Sequence, residues 1–186
     1  MTGEKERCAQ ALRLSREGKK VAVLCSGDAG VYGMAGLLLE LADEEDWVEV
    51  VPGVTSALAA SALLGAPLSG DMAMISLSDR LTPWETIAKR LTAAAQGDFC
   101  MALYNPCSRH RPDTLRTAAE VLLAHLPGSR LCGFARNIGR AGQSCGLLTL
   151  EALPDFPGDM FTTFVVGNSQ TICKNGKLIT PRGYRL

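Results

Sequence analysis

Val21-Ala22-Val23-Leu24-Cys25-Ser26-Gly27-Asp28-Ala29-Gly30-Val31-Tyr32-Gly33 is the stretch whose reading decides the fold. Five consecutive apolar residues without alternation suit a strand covered on both faces, as in a parallel sheet. A glycine-rich turn breaks the run, and Val31–Leu41 then reads as a helix rich in Ala, Gly and Leu. On the upstream side, Glu4–Glu17 carries Cys8, Ala11, Leu12 and Leu14 at helical spacing and ends at Gly18, an amphipathic helix with a glycine C-cap. On the downstream side, Val48–Val51 reads as the next short strand, Pro52–Ser56 as a loop and Ala57–Leu64 as a small-residue helix. Gly65-Ala66-Pro67-Leu68-Ser69-Gly70 has the composition of an interdomain linker.

Beyond that linker the pattern restarts. Strands are expected at Met72–Leu77, Phe99–Tyr104 and Leu131–Ala135, with helices Pro83–Ala95 and Asp113–Leu126 between them. Ser144–Thr149 and Phe161–Val166 are strand-like, and Asn175-Gly176 between Thr171–Cys173 and Lys177–Thr180 signals a tight hairpin. Alternating strands and helices imply an α/β fold, here of two domains, residues 1–68 and 69–186, the second a mixed sheet with an antiparallel end hairpin.

The composition narrows the function classes. Nineteen Lys+Arg balance nineteen Asp+Glu, so no summed basic potential draws nucleic acid or anionic lipid, and an acidic ligand must be held by local arginines. No apolar run reaches the roughly 18 residues that span a bilayer, and a cytoplasmic location is expected. The seven cysteines are scattered without a C-x-x-C pair and only two histidines, His110 and His125, accompany them, so reduced buried thiols rather than a metal centre are expected.

In an α/β sheet, ligands gather at the carboxyl ends of parallel strands. The loops expected there are Ser26–Gly30, Pro52–Ser56, Asn105–Pro112 and Arg136–Gly142. The first is neither G-x-G-x-x-G nor G-x-x-x-x-G-K-[ST], so it fits no phosphate motif. Asp28 either accepts hydrogen bonds from a ribose, an amine or the amides of a neighbouring loop, or caps the following helix. Thr55 and Ser56 suit N-capping of the next helix as well as they suit a ligand. The Asn105–Pro112 loop concentrates Arg109, His110 and Arg111, either a solvated turn or guanidinium forks for carboxylates.

Taken together, Ser26–Gly33, Pro52–Ser56, Ile75–Glu85, Tyr104-Asn105-Pro106 and Thr162–Thr171 resemble the tetrapyrrole methylases, enzymes that use S-adenosylmethionine to modify corrin precursors. The resemblance covers essentially the whole chain. It implies two α/β domains with the cofactor folded between them and a tetrapyrrole in a trough above, in a homodimer. It assigns cofactor contacts to Ser26, Gly27, Asp28, Val31, Tyr32, Thr55 and Ser56, and further ones to Asn105, Asn137, Thr162 and Thr163. The implied activity is methylation and ring contraction of a corrin precursor.

Two departures accompany it. Ala29 stands where the family usually has Pro, which alters loop stiffness more than chemistry. Family members also open with a strand, a glycine-rich loop and a helix that have no counterpart here, so the first domain is expected to be truncated, with unpaired strand edges and an incomplete pocket. Either a shortened gene product or half of a site completed by another chain follows from that expectation.

Methyl transfer from a sulfonium demands alignment and exclusion of water but no metal. A tetrapyrrole carries many carboxylates, so Arg80, Arg109, Arg111 and Arg136 are candidate substrate clamps. Ring contraction needs a base, for which Asp79 and His110 are weak candidates. The competing reading is a non-catalytic cofactor-binding or partner-completing module. A nucleotide-dependent oxidoreductase is a weaker rival, since no dinucleotide fingerprint is present.

Overall fold

A computed structural model describes residues 3–184. By its internal contacts the chain divides into two compact units, Met1–Thr55 and Ser56–Leu186. The helix expected at Ala57–Leu64 is thereby grouped with the second unit.

The first unit contains helices α1 (Glu4–Arg16) and α2 (Ala35–Leu41). Cys8, Ala11 and Leu12 of α1 and Ala35 of α2 are its buried apolar residues in these helices. The guanidinium of Arg16 holds the carboxylates of Asp43 at 2.6 Å and Asp46 at 2.5 Å, tying the end of α1 to the turn after α2. The same contact holds the Asp46 carboxyl down to about 2.

Three expectations fail in this unit. Neither Val21–Cys25 nor Val48–Val51 forms a strand. A strand exists only when a neighbour supplies its ladder, and among the described residues neither run has one. Leu24 is 90% exposed and Val51 70%, so apolar composition alone did not bring these residues into a core. The helix expected from Val31 begins only at Ala35. Tyr32 adopts φ 54°, a left-handed conformation that cannot continue a helix.

The second unit is built on a five-stranded sheet ordered β2-β3-β6-β4-β5: β2 (Met72–Ser76), β3 (Cys100–Tyr104), β4 (Leu131–Arg136), β5 (Ser144–Thr149) and β6 (Thr162–Val166). β2 and β3 run parallel, and the other neighbours are antiparallel. Every residue of the central strands β3 and β6 is buried, which is why both read as unbroken apolar or Thr-plus-apolar runs. Helices α4 (Trp84–Gln96) and α5 (Thr114–Leu123) cover one face. Ile87, Leu91, Leu115 and Leu122 bury into a common core with Leu103 and Phe164. Each such side chain contributes about 1.5–3 kcal/mol.

Helix α3 (Ser56–Leu64) packs on β4, β5 and β6. Gly133 makes room for it. A Cβ there would lie 2.8 Å from both terminal methyls of Leu64. A second sheet, ordered β1-β8-β7, joins β1 (Gly65–Ala66), β7 (Ile172–Lys174) and β8 (Lys177–Ile179). The stretch expected as a linker thus contains a short strand, parallel to β8. The end hairpin forms as expected, with Asn175 at φ 51° and Gly176 at φ 71°.

Candidate functional site

In the first unit the chemistry-bearing loops are 26–33 and 52–55. The Asp28 carboxylate accepts hydrogen bonds from three backbone amides. Oδ1 takes Gly30 at 2.8 Å and Val31 at 3.1 Å, and Oδ2 takes Gly53 at 2.9 Å. Those bonds, the one from Gly53 first, hold its pKa below the usual carboxylate value. Of the roles the sequence left open, the structure shows the bond to a neighbouring loop. The helix-capping role is not seen, because α2 starts at Ala35 with Met34 as its N-cap. The two loops approach closely: a Cβ on Gly53 would lie 2.2 Å from the Gly27 carbonyl oxygen. Gly27 itself has φ 82°. Thr55 is buried, while Ser26 and Tyr32 are exposed.

In the second unit, side chains at the carboxyl ends of β2 and β3 are linked to one another, as are the start of α3 and residues of β3 and β6. The Asn105 amide donates from Nδ2 to Ser76 Oγ at 2.9 Å, and Asn105 has φ 54°. The Tyr104 hydroxyl accepts the Ala57 amide at 2.9 Å, and the Thr163 hydroxyl donates to Ser56 at 3.0 Å. Asn137 also adopts a left-handed backbone, φ 51°, and its side chain reaches the Gly142 carbonyl at 3.4 Å. Thr162 donates to Asp159 at 2.7 Å, and the same carboxylate group binds Arg136 at 2.5 Å.

The arginines proposed as clamps are not alike. Arg80 and Arg109 are exposed and make no ion pair among the described residues. Arg136 is engaged by Asp159. The Arg111 side chain is 12% exposed and pairs with Asp79 at 3.4 Å. Asp79, His110 and Arg111 come together around one cavity of about 280 Å³, lined also by Trp84, Asp113, Thr114 and Thr117. Trp84, Asp113 and the two threonines line it without having been singled out as candidates from the sequence. Only Thr82-Pro83-Trp84-Glu85, read as part of a family-like string, hinted at the first of them.

No group of three or more His, Cys, Asp or Glu among the described residues could hold a metal ion. Cys8, Cys100, Cys107 and Cys132 are buried, Cys25 is intermediate, and Cys145 and Cys173 are exposed. Burial pushes the Cys132 thiol up to about 12.

Comparison with known proteins identifies the family. The profile of the Tetrapyrrole (Corrin/Porphyrin) Methylases matches residues 2–154. The chain is 44% identical to the probable cobalt-factor III C(17)-methyltransferase of Salmonella typhimurium, over 100% of its own length and 78% of the relative's. It is 40% identical to the precorrin-3B C(17)-methyltransferase of a Sinorhizobium species, over 97% of this chain and 76% of that one. The crystal structure of the methyltransferase CobJ superposes with a TM-score of 0.90 at 39% identity, covering 96% of this chain and 77% of that one. The mixed sheets, the loops at their ends and these matches together place the chain in the tetrapyrrole methylase family.

Proposed function

We propose that the chain catalyses S-adenosylmethionine-dependent C17-methylation and ring contraction of precorrin-3B or cobalt-factor III in cobalamin biosynthesis. The observation that carries this reading is the 44% identity, along the whole chain, to a relative named for that methylation. Bound S-adenosylmethionine would supply an electrophilic methyl group on a sulfonium sulfur.

By the family resemblance, the residues that would hold it are Ser26, Gly27, Asp28, Val31, Tyr32 and Thr55 of the first unit, and Ser56, Asn105, Asn137, Thr162 and Thr163 of the second. This donor set fits such a group. It consists of hydroxyls, carboxamides and backbone amides with one ionised carboxylate, Asp28, whose charge is the right sign for a cationic cofactor. Asp28 acts by fixing the two loops through its bonds to Gly30, Val31 and Gly53. Asn105 is held by Ser76 and Ser56 by Thr163, so these polar groups are oriented before a ligand arrives, which lowers the entropic cost of binding. Arg80, Arg109, Arg111 and Arg136 would meet the carboxylates of the tetrapyrrole. Of the two candidate bases, Asp79 is paired with Arg111, which leaves His110 to take the proton that ring contraction releases. The protein is cytoplasmic and a homodimer in this reading.

Incubating the purified protein with S-adenosylmethionine and cobalt-factor III or precorrin-3B tests it. The expected product, by mass spectrometry, is methylated and ring-contracted. A folded protein that gives no such product contradicts the reading.

One observation favours a second reading, a non-catalytic cofactor-binding or partner-completing module. Val21–Cys25 and Val48–Val51 form no strand, and Leu24, Val51 and Val54 are exposed. Isothermal titration with S-adenosylmethionine separates the two. Tight one-to-one binding by the isolated chain supports the enzyme, and binding only after a second chain is added supports the module.

A further inference from the structure

Arg111 is immobilised from several directions. Its amide donates to the Ser108 carbonyl at 3.0 Å, and its own carbonyl accepts from the Ser108 amide at 3.2 Å. That carbonyl also accepts from the Thr114 hydroxyl at 3.2 Å. At the far end of the side chain, Nη1 meets the Leu77 carbonyl at 3.4 Å and Asp79 Oδ1 at 3.4 Å. Both side-chain contacts use the same nitrogen. Nε and Nη2 make no hydrogen bond among the described residues, and neither belongs to the fully buried, unsatisfied atoms, which are those of Arg130. A guanidinium whose side chain is 12% exposed is therefore anchored through one nitrogen, while the other two have no hydrogen-bond partner among the described residues. The edge formed by those two is the one whose two parallel N–H groups match a carboxylate.

The surroundings narrow what that carboxylate belongs to. Arg111 lines the cavity of about 280 Å³ together with Trp84, which offers an apolar wall. His110 lines it too. Asp79 and Asp113 line the same cavity and repel any additional anion, so the cavity is not a general sink for negative charge. An apolar wall beside one guanidinium fork suits a single short acid arm, with methylenes against the indole and the carboxylate on Arg111. Thr114 and Thr117 spend their hydroxyl hydrogens on the carbonyls of Arg111 and Asp113, which leaves Arg111 as the principal donor.

We propose that this cavity is the subsite for one carboxylate arm of the tetrapyrrole, with the Nε–Nη2 edge of Arg111 as its anchor and Asp79 as the positioning residue that holds Nη1. The inference rests on the tetrapyrrole reading above and singles out one of four arginines as the specificity contact.

The test is absorbance titration of cobalt-factor III into the full chain without S-adenosylmethionine. Arg111→Gln should weaken binding roughly 10- to 100-fold, the range expected for a lost charge-assisted pair. Arg111→Lys should recover only part of that, because an ammonium lacks the fork. Asp79→Asn should weaken binding by a few-fold, less than Arg111→Gln, since it only loosens the anchor. Thr117→Phe fills the cavity without altering Arg111 and should weaken binding like Arg111→Gln, which covers the case of an Arg111 variant that does not fold. Wild-type affinity in both Arg111→Gln and Thr117→Phe overturns the subsite while leaving the tetrapyrrole reading intact. A wild-type chain that binds S-adenosylmethionine but no cobalt-factor III overturns both.

Discussion

The carboxylate of Asp28 accepts the backbone N–H of Gly53 at 2.9 Å, joining two loops that lie 25 residues apart in the chain. With Gly30 and Val31 on its other oxygen, three amide donors converge on one anion. Asn in its place would keep one acceptor oxygen and turn an NH₂ group toward an amide that needs an acceptor. Asp28→Asn should therefore lower the thermal midpoint and expose the Gly53 amide to hydrogen exchange. Unchanged protection at Gly53 would show that the bond does not hold the loops.

The same contact sets a direction for acid sensitivity. The folded-state pKa of Asp28 lies below its ordinary value, so its stabilisation is complete above the unfolded value of about 3.9. It fades as pH falls through the folded value. Asp46, held at about 2 by Arg16, behaves in the same direction. Urea unfolding below pH 4 should show wild type losing stability on acidification more steeply than Asp28→Asn. Parallel pH profiles would remove Asp28 from the account.

Gly133 is required by the approach of α3 to β4. A side chain there meets Leu64 at 2.8 Å on two sides and Leu178 at 3.2 Å. Gly133→Val should destabilise by about 1–3 kcal/mol through overpacking, read as a shift in the urea midpoint. The double variant with Leu64→Ala should recover part of that loss, because the clash and the cavity offset each other. Strict additivity of the two substitutions would place the strain elsewhere.

The thiols sort by burial. Cys145 and Cys173 are exposed and should react with a disulfide reagent in the native protein, whereas Cys8, Cys100 and Cys132 should react only on unfolding. Because the Cys132 pKa is raised to about 12, the stability it favours is present below the unfolded thiol value near 8.5. It is lost as pH rises from there toward 12. Cys132→Ala should flatten that alkaline limb. Rapid native labelling of Cys132 would contradict its place under α4 and α5.

How far these features could be read from sequence depends on whether local chemistry or a distant neighbour decides them. Asn175-Gly176 names its own turn, since both positions need positive φ, and the hairpin lies where that pair predicts. Cys100–Tyr104 and Thr162–Val166 were legible because each lies at the centre of a sheet, where all residues are apolar or small. Gly65–Ala66 read as a linker because a two-residue strand carries no periodicity, and only its pairing with Leu178 and Ile179 defines it. The roles of Asp28 could be enumerated from sequence but not ranked, since the deciding donor, Gly53, belongs to another loop. Asp79 and Arg111 were each singled out, but that they share a cavity with Trp84 is a tertiary fact.

Val21–Cys25 shows the same limit from the opposite side. Its composition is that of a strand buried on both faces, yet Leu24 is 90% exposed and the run has no ladder among the described residues. Two consequences are measurable on the isolated chain. Leu24→Glu should change the free energy of unfolding by no more than about 0.5 kcal/mol, as for an ordinary surface site. The amides of residues 21–25 should exchange within seconds, since no backbone partner among the described residues protects them. In a chain where this run sat inside a sheet, the buried carboxylate would cost several kcal/mol and exchange would slow by orders of magnitude. If addition of a second polypeptide slows exchange at both 21–25 and 48–51 and makes Leu24→Glu costly, the two runs are strands whose neighbour comes from elsewhere. If exchange at both runs is already slow in the isolated wild-type chain and Leu24→Glu is costly without any second polypeptide, the runs are paired within the chain itself.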